Sequence, residues 1–451
     1  MTQPQGGIAN LAPLERAREQ KAWYFYDWAN SAFATTVAGV LFGPYLIAIA
    51  EDAAVDDRVS VLGLSVAPGA LPAYVITAST LVSAILLPLL GAVADRTSRK
   101  KDLLAGFAWV GAFFAGLLFF LTGDNWQFGA ITFIIANLCF GASAVFNDAI
   151  LPLISDESER DRVSSRGWAY GYAGGGLLLA LNFVLVSFHD TFGLTEAMAV
   201  RISLLSAAVW WAGFTFIPWR GLNNHPPADV EHVEGGVLQR SFGQLWATLK
   251  DLRNYPVALT FLLAYLFFND GIQTVISQAS VYGVEELGFP QGTMLGVYLL
   301  VQFVAVGGAL LFGRIAATRG AKRTILGGLV IWMLIVTAGL VIPANSLVPL
   351  LVLGAAIGLV LGGTQALARS YFSLLIPRGK EAEYFSFYHA MERGTSWFGT
   401  LVFGLVYTFT GSYRPAIFAL IVFFIIGGLL LMRVDTERGI RDAGNRVPDV
   451  F

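Results

Sequence analysis

Twelve stretches of this chain run for about 18 residues or more with almost no charge, long enough to cross the ~30 Å hydrocarbon core of a bilayer as helices. They fall at 22–49, 71–94, 103–122, 127–151, 167–188, 197–217, 256–284, 291–317, 324–343, 346–374, 383–410 and 413–433. Backbone N–H and C=O groups in lipid find no water and must pair within the segment. Helices meet that demand, whereas barrel strands would show about ten residues of alternating polarity. Composition agrees: of 451 residues, 56% are hydrophobic and 13% charged, against roughly 25% charged in a soluble domain. A soluble enzyme, a nucleic-acid binder and a disordered chain are excluded on that ground.

The charges are sorted. With the N-terminus placed in the cytoplasm, the inner segments take most of the 29 lysines and arginines, among them Arg16, Lys21, Arg96, Lys100, Arg160, Arg253, Arg319, Lys322, Arg378 and Arg438. Arg58, Arg201 and Arg414 fall outside, where they meet an excess of acids such as Asp56, Asp57, Glu196, Glu285 and Glu286. This bias predicts a multi-pass inner or plasma membrane protein with both termini cytoplasmic. The first twenty residues are polar and the first apolar run is long enough to span, so it reads as a retained anchor. The net charge of −2 implies no polyanionic partner, and the single Cys139 leaves no internal disulfide and no Cys-rich metal site.

The chain divides in two. A polar, Pro- and Gly-containing stretch separates an N-terminal six-helix half (1–217) from a C-terminal six-helix half with a cytoplasmic tail (256–451). The cytoplasmic linker, 218–255, includes an amphipathic helix expected around Val237–Leu252 and two loop histidines, His225 and His232. Patterns recur between the halves: Gly91 to Lys100 after the second span and Gly313 to Lys322 after the eighth; Pro152 and Pro377; Arg166-Gly167 and Arg393-Gly394; Asp27, Asn30 and Ser31 against Asp270, Gln273 and Thr274. Duplicated halves are the plan of many secondary transporters, with the solute near the midplane between them.

The segment carrying Gly91, Asp95, Arg96, Arg99 and Lys100 resembles the loop signature of the major facilitator superfamily, Gly-x-x-x-Asp-Arg-x-Gly-Arg-Lys, with Ser98 at the second glycine and a degenerate second copy bearing Ala317 in place of the acid. Asp95 is expected to face basic groups and a helix N-terminus across the seam between halves, forming a cytoplasmic gating motif. Further stretches narrow the likeness: Tyr26-Asp27-Trp28-Ala29-Asn30-Ser31, Asn147-Asp148, Arg166-Gly167, Asn269-Asp270-Gly271-Ile272-Gln273-Thr274 and Gln365 to Ser370. Together they look like the vacuole-effluxer-like branch, related to fungal autophagy-related protein 22, over about residues 20 to 432. Asp148 departs from that pattern, where a small residue or Asn is usual. The resemblance implies an all-α integral membrane fold of twelve transmembrane helices in two pseudo-symmetric six-helix halves, and efflux of amino acids by the fungal relative.

Ionisable groups inside a bilayer are unfavourable by about 2.5–3.5 kcal/mol or more each, so they default to functional candidates. Asn269, Asp270, Gln273 and Thr274, with Ser277 and Gln278, share one helical face that should point into the bundle. They form a substrate or proton site, or else an interhelical hydrogen-bond network. Asp27, with Asn30 and Ser31 on its face, is a substrate or gate residue or the structural partner of an arginine. Trp23, Tyr24, Tyr26 and Trp28 around it are expected as an aromatic interface belt. Asn147 and Asp148 precede Pro152, a hinge candidate. Gln365 and Arg369 share a face of the tenth span; Arg369 could pair with Asp27 or hold a substrate carboxylate, Asp270 then meeting the ammonium. Glu392 and Arg393 read as a local ion pair.

No phosphate loop, dinucleotide fingerprint, nucleophile elbow or His-Glu-x-x-His motif is present, and neither His189 nor His389 has a metal-ligand partner at useful spacing. We therefore expect neither an enzyme nor a cofactor- or metal-dependent protein. The expectation is a monomeric secondary active transporter in the lipid bilayer, working by alternating access. It would export a small polar solute such as an amino acid, with Asp27 and Asp270 as carriers for coupled protons. The alternatives are a sugar or drug exporter of the same fold, for which Gln273, Gln278, Gln302 and Gln365 are suited, and a non-transporting membrane sensor.

Overall fold

The apolar runs are helices in the computed structural model, which describes residues 13–61, 63–225, 252–394 and 396–450. Eleven helices among the described residues are long and apolar enough to span a membrane: α1 (Pro13–Asp52), α2 (Pro68–Asp95), α3 (Lys100–Phe120), α4 (Trp126–Ile154), α5 (Arg160–Ser187), α6 (Glu196–Gly221), α7 (Pro256–Glu286), α8 (Gly292–Arg319), α9 (Ala321–Ala338), α10 (Leu347–Leu374) and, after the next in order, α12 (Tyr413–Met432). That next helix, α11, is described over Glu381–Gly394 and Ser396–Thr410, either side of residue 395, which lies outside the described residues. A short helix, α13 (Thr436–Asp442), follows. Most of the predicted linker, with its expected amphipathic helix and His232, lies outside the described residues.

The helices overrun several apolar runs. α1 begins at Pro13 and α5 at Arg160, a full turn or more before the expected starts. Their extra turns carry Glu19 and Arg160, both buried and bonded to protein groups, so helical backbone and charge are satisfied together. α1 also contains a π-helical stretch, Phe33–Leu41. Its wider turns fall where the helix borders the central cavity, a common placement for π segments. A two-stranded antiparallel ribbon, β1 (Val59–Val61) with β2 (Leu64–Val66), decorates the loop after α1; the apolar pattern gave no sign of it.

Two apolar cores organise the bundle. One gathers buried residues between Ala22 and Leu222 together with Ala382; the other gathers Val257 to Ile440. Large apolar side chains such as Leu81, Phe113, Ile131, Val209, Leu334 and Val352 stay exposed on the outside, as a lipid-facing surface requires. Between the cores, α2 packs on α11 and α5 packs on α8 and α10. The ends of the helices rich in Arg and Lys make one face of the bundle, called the basic face below.

Small residues set how near helices come. In lipid, helix association rests on van der Waals packing and small-residue seams rather than on a hydrophobic drive. Along α10, Gly354, Gly358 and Gly362 abut α8: a Cβ on Gly358 would sit 2.6 Å from the Val301 carbonyl oxygen, and one on Gly362 would strike the carbonyl of Ala305. Gly327 on α9 has open space around it. Overpacking a core costs typically ~1–3 kcal/mol, so Gly358→Leu should lower the melting temperature in detergent by several degrees, whereas Gly327→Ala should leave it unchanged or raise it slightly, alanine being the better helix former. Equal melting of the two variants would contradict the close α8–α10 seam.

Candidate functional site

A buried arginine joins the halves. Arg369 comes from α10 and reaches carboxylates of the other half: Nη2 donates to Asp27 Oδ2 at 3.0 Å, and Nη1 to Asp148 Oδ1 at 3.1 Å. Nε donates to Ser164 Oγ at 2.9 Å, and Nη2 also to the Ser164 carbonyl at 3.0 Å. The guanidinium lies over the rings of Trp23 and Trp168, 4.6 and 5.4 Å from their centroids. Arg369 is 4% exposed, Asp148 4% and Asp27 8%. Charges this dry persist because each meets an opposite charge and further hydrogen bonds.

Local sequence prepares the cluster. Gly167 on α5 leaves room for it, since a Cβ there would fall 2.5 Å from Asp27 Oδ2 and 2.9 Å from Arg369 Nη2. Gly171 and Gly174 continue the same smooth seam against Ser31 and Trp28 of α1. Asn147 donates to Asp27 Oδ1 at 3.1 Å, and Trp23 Nε1 to the Asn147 carbonyl at 2.8 Å. On the far side, His389 of α11 bonds Asp148 Oδ2 through Nε2 and Glu392 through Nδ1, both at 2.9 Å. The chain Asp27–Arg369–Asp148–His389 thus alternates between the halves, and Glu392, on the same helix as His389, ends it.

Nearer the basic face, two further contacts cross the seam. Asp95, at the end of α2, accepts the backbone N–H groups of Ala382 and Glu383 at 3.0 and 2.8 Å and pairs with Lys100 at 2.9 Å. It so occupies the N-terminal turn of α11, where a negative charge meets unpaired N–H groups. Gly91 sits against Ala382 and Ser386. Arg96 and Arg99 are exposed, and Arg99 pairs locally with Asp102. In the second contact, Arg160 donates to the Ser373 carbonyl, Ser370 to Asp161, and Arg378 to Glu157 at 2.7 Å. Glu157 lies outside the spans; burial opposes its charge, yet Arg160 and Arg378 hold its carboxyl below the usual range.

Above the Arg369 cluster lies a cavity of about 980 Å³ that extends to the helix ends opposite the basic face, where Glu196, Ser187 and Gly292 border it. Its wall is largely apolar. Polar and aromatic contributions come from Ser31, Thr35, Gln273, Gln302, Gln365, Trp168, Tyr172 and Tyr298. Glu196, exposed at the mouth, is the charged residue in the described lining. Gln302 Oε1 and Trp168 Nε1 have no protein partner among the described residues.

The expected candidates therefore separate. Asp27, Asn147, Asp148 and Arg369 meet in one cluster, with Asn30 buried on the neighbouring turn of α1. Ser31, Gln273 and Gln365 line the cavity. Asn269 accepts from Gln365 Nε2 at 2.8 Å behind the wall. The polar stripe of α7 does not act as one face: Gln273 looks into the cavity, Ser277 is exposed, and Asp270 and Thr274 are buried against Gly399 of α11. A stripe six residues wide spans more than one neighbour, so parts of it turn to different helices. Nor do Trp23, Tyr24 and Tyr26 form an interface belt; all are buried, and Trp23 serves Arg369. His389 and Ser164 were not singled out as site residues by the sequence; a lone histidine and a lone serine carry no spacing signal.

A family model described as vacuole effluxer Atg22 like matches residues 15–444. The chain is 29% identical to an uncharacterized MFS-type transporter, YxiO, of Bacillus subtilis, covering 93% of this chain and 95% of that one. It is 26% identical to autophagy-related protein 22-1 of Neosartorya fischeri, covering 98% and 93%. Among solved structures it resembles the FucP transporter in the outward conformation (TM-score 0.65, 12% identity, covering 93% and 98%) and the proton:xylose symporter XylE (TM-score 0.70, 12% identity, covering 93% and 96%). These likenesses, with the helices described, are those of a twelve-helix major facilitator fold.

Removing one partner of a buried ion pair costs about 3–5 kcal/mol, because the remaining charge is stranded. Arg369→Gln should lower the melting temperature markedly. The triple variant Asp27→Asn, Asp148→Asn, Arg369→Gln should regain most of the loss. Losses that simply add across the three sites would show that these groups are not coupled.

Proposed function

The chain belongs to the vacuole effluxer Atg22-like family of major facilitator transporters, and on that premise we propose that it exports a small neutral polar solute through the central cavity by alternating access. The observation that carries the solute class is the cavity wall: amides of Gln273, Gln302 and Gln365, rings of Trp168, Tyr172 and Tyr298, and charge confined to Glu196 at the mouth. Amides offer a donor and an acceptor each, and ring faces take the apolar faces of a sugar or polyol. The sorted basic residues support a cytoplasmic basic face. The cavity, closed toward that face by the Arg369 and Asp95 contacts, then corresponds to the outward-facing, solute-releasing state. Proton coupling supplies the drive in this reading, with Asp27 and Asp270 as the buried carboxyls available to carry protons. The two halves, 1–217 and 256–451, are the bodies that rock about the linker, within one monomer.

One observation favours a second reading, an amino acid. The acidic partners of Arg369 come from the first half, so parting the halves at the basic face frees a guanidinium one turn from Gln365, ready for a substrate carboxylate. Asp270, expected to meet the ammonium, is absent from the cavity lining, which weakens that reading.

A thermal-shift screen of the purified protein against neutral sugars, polyols and amino acids separates the two. Neutral hydroxylated solutes should raise the melting temperature, and Gln365→Ala should weaken their binding about tenfold, the equivalent of ~1.4 kcal/mol. Stabilisation by amino acids, lost in Arg369→Gln, would establish the second reading instead. Binding without counterflow in proteoliposomes would mark a sensor.

A further inference from the structure

Two carboxyl groups lie deep in the bundle, and their surroundings differ in kind. Asp27 has a guanidinium on both oxygens and an amide besides; it is built to stay an anion while the halves are joined. Asp270, in the middle of α7, is 1% exposed. Its Oδ2 accepts the backbone N–H of Gly399 at 2.7 Å. Its Oδ1 has no partner among the described residues, and neither has the hydroxyl of Thr274 one turn on, which is also 1% exposed and lies against Gly399. The next residue, Gly271, packs on Phe423 and Phe424 of α12.

Three described charged or titratable groups on the helices around Asp270 are engaged elsewhere. Arg369 of α10 is held by Asp27 and Asp148. His389 of α11 bonds Asp148 and Glu392. Arg414 of α12 pairs with Glu286 at the far end of α7. An anion here would have a single hydrogen bond and no described cation beside it, a poor exchange for lost hydration. A neutral carboxyl fits the site as it stands.

We propose that Asp270 is the proton-binding site of the transport cycle, neutral while Gly399 alone donates to it and ionised when movement of the halves admits water to it. The step is a single proton transfer: the O–H bond of the carboxyl breaks, and the proton passes to water admitted by the movement. Gln273, one turn along α7, lines the cavity, so the same helix carries the proton site and part of the solute wall. Asp27 is then a gate residue rather than the carrier. The assignment rests on the proton-coupled reading of the cycle and narrows it to one carboxyl.

Infrared difference spectroscopy of protein reconstituted in lipid reads this without a solute. Wild type should show a carboxylic-acid C=O band at neutral pH that titrates away at alkaline pH. The band should be lost in Asp270→Asn and kept in Asp27→Asn. A band unchanged in Asp270→Asn would overturn the proposal. If Asp270→Asn fails to fold, wild type carrying carboxyl-13C aspartate decides: a band that does not shift is not an aspartic acid, and the proposal fails. A melting temperature raised by sodium over potassium, and not in Asp270→Glu, would assign the site to a metal cation and also overturn it. Solute flux indifferent to a pH gradient, with the Asp270 band intact, would refute coupling while leaving the proton where it is placed.

Discussion

A charge in a low-dielectric interior must be neutralised where it stands, and Arg369 imposes that condition on the bundle. Its guanidinium sits on α10, yet the groups that neutralise it, Asp27 and Asp148, belong to α1 and α4. Neither half can keep its own part of the cluster dry without the other. Burial of Arg369 and closure of the basic face are therefore one event: parting the halves strands a cation and two carboxylates unless water enters with the opening. The two tryptophans over the guanidinium keep that water out while the halves are joined.

The cluster depends in turn on missing side chains. Gly167 lets Asp27 and Arg369 meet beside α5, and Gly91 lets α2 lie on α11 closely enough for Asp95 to take the N–H groups of Ala382 and Glu383. Both glycines are helical, so no unusual backbone angle calls for them; proximity does. Glycine weakens an isolated helix by roughly 1 kcal/mol relative to alanine, and the close contacts it permits offset that. The polar locks and the small-residue seams are thus parts of one device. The seams bring the helices near, and the locks make the nearness conditional on charge.

How much of this could be read from the sequence follows from what a linear pattern encodes. Span number and the two-half plan were legible because lipid demands long uninterrupted apolar runs and because Gly91 to Lys100 recurs in degraded form at Gly313 to Lys322. Asp27, Asp148 and Arg369 were legible as exceptions to an apolar background, and a pairing of Arg369 with Asp27 was among the expectations. Their union with Asp148 and His389 was not, since it joins residues more than two hundred positions apart whose helix rotations no local spacing fixes. Trp23 and Tyr26 misled for the same reason: aromatic residues near a span end read as an interface belt, and only the packing of α4, α5 and α6 around α1 turns them inward.

The polar contacts described between the halves share one side of the molecule: Arg369 with Asp27 and Asp148, Asp95 with the start of α11, Arg160 with Ser373, and Arg378 with Glu157. The cavity reaches the other side between largely apolar walls. Moving a two-state equilibrium from 1:99 to 99:1 takes about 5.5 kcal/mol of differential binding, and a few amide hydrogen bonds at ~0.5–1.5 kcal/mol each supply that only in part. A solute held in the cavity would touch Gln365 and Trp168, immediate neighbours of Arg369, but not the carboxylates themselves. Some other term must help to part the charges, and α7 is the element that spans both sites. It bears Gln273 in the cavity wall, Asn269 bonded to Gln365, and Asp270 bonded to α11, while α11 carries His389 onto Asp148 and its N-terminal turn onto Asp95. In the proposed cycle, a change in the hold of Asp270 on α11 would reach two of the contacts that close the basic face, and α11, rather than the solute directly, would be the element that releases them.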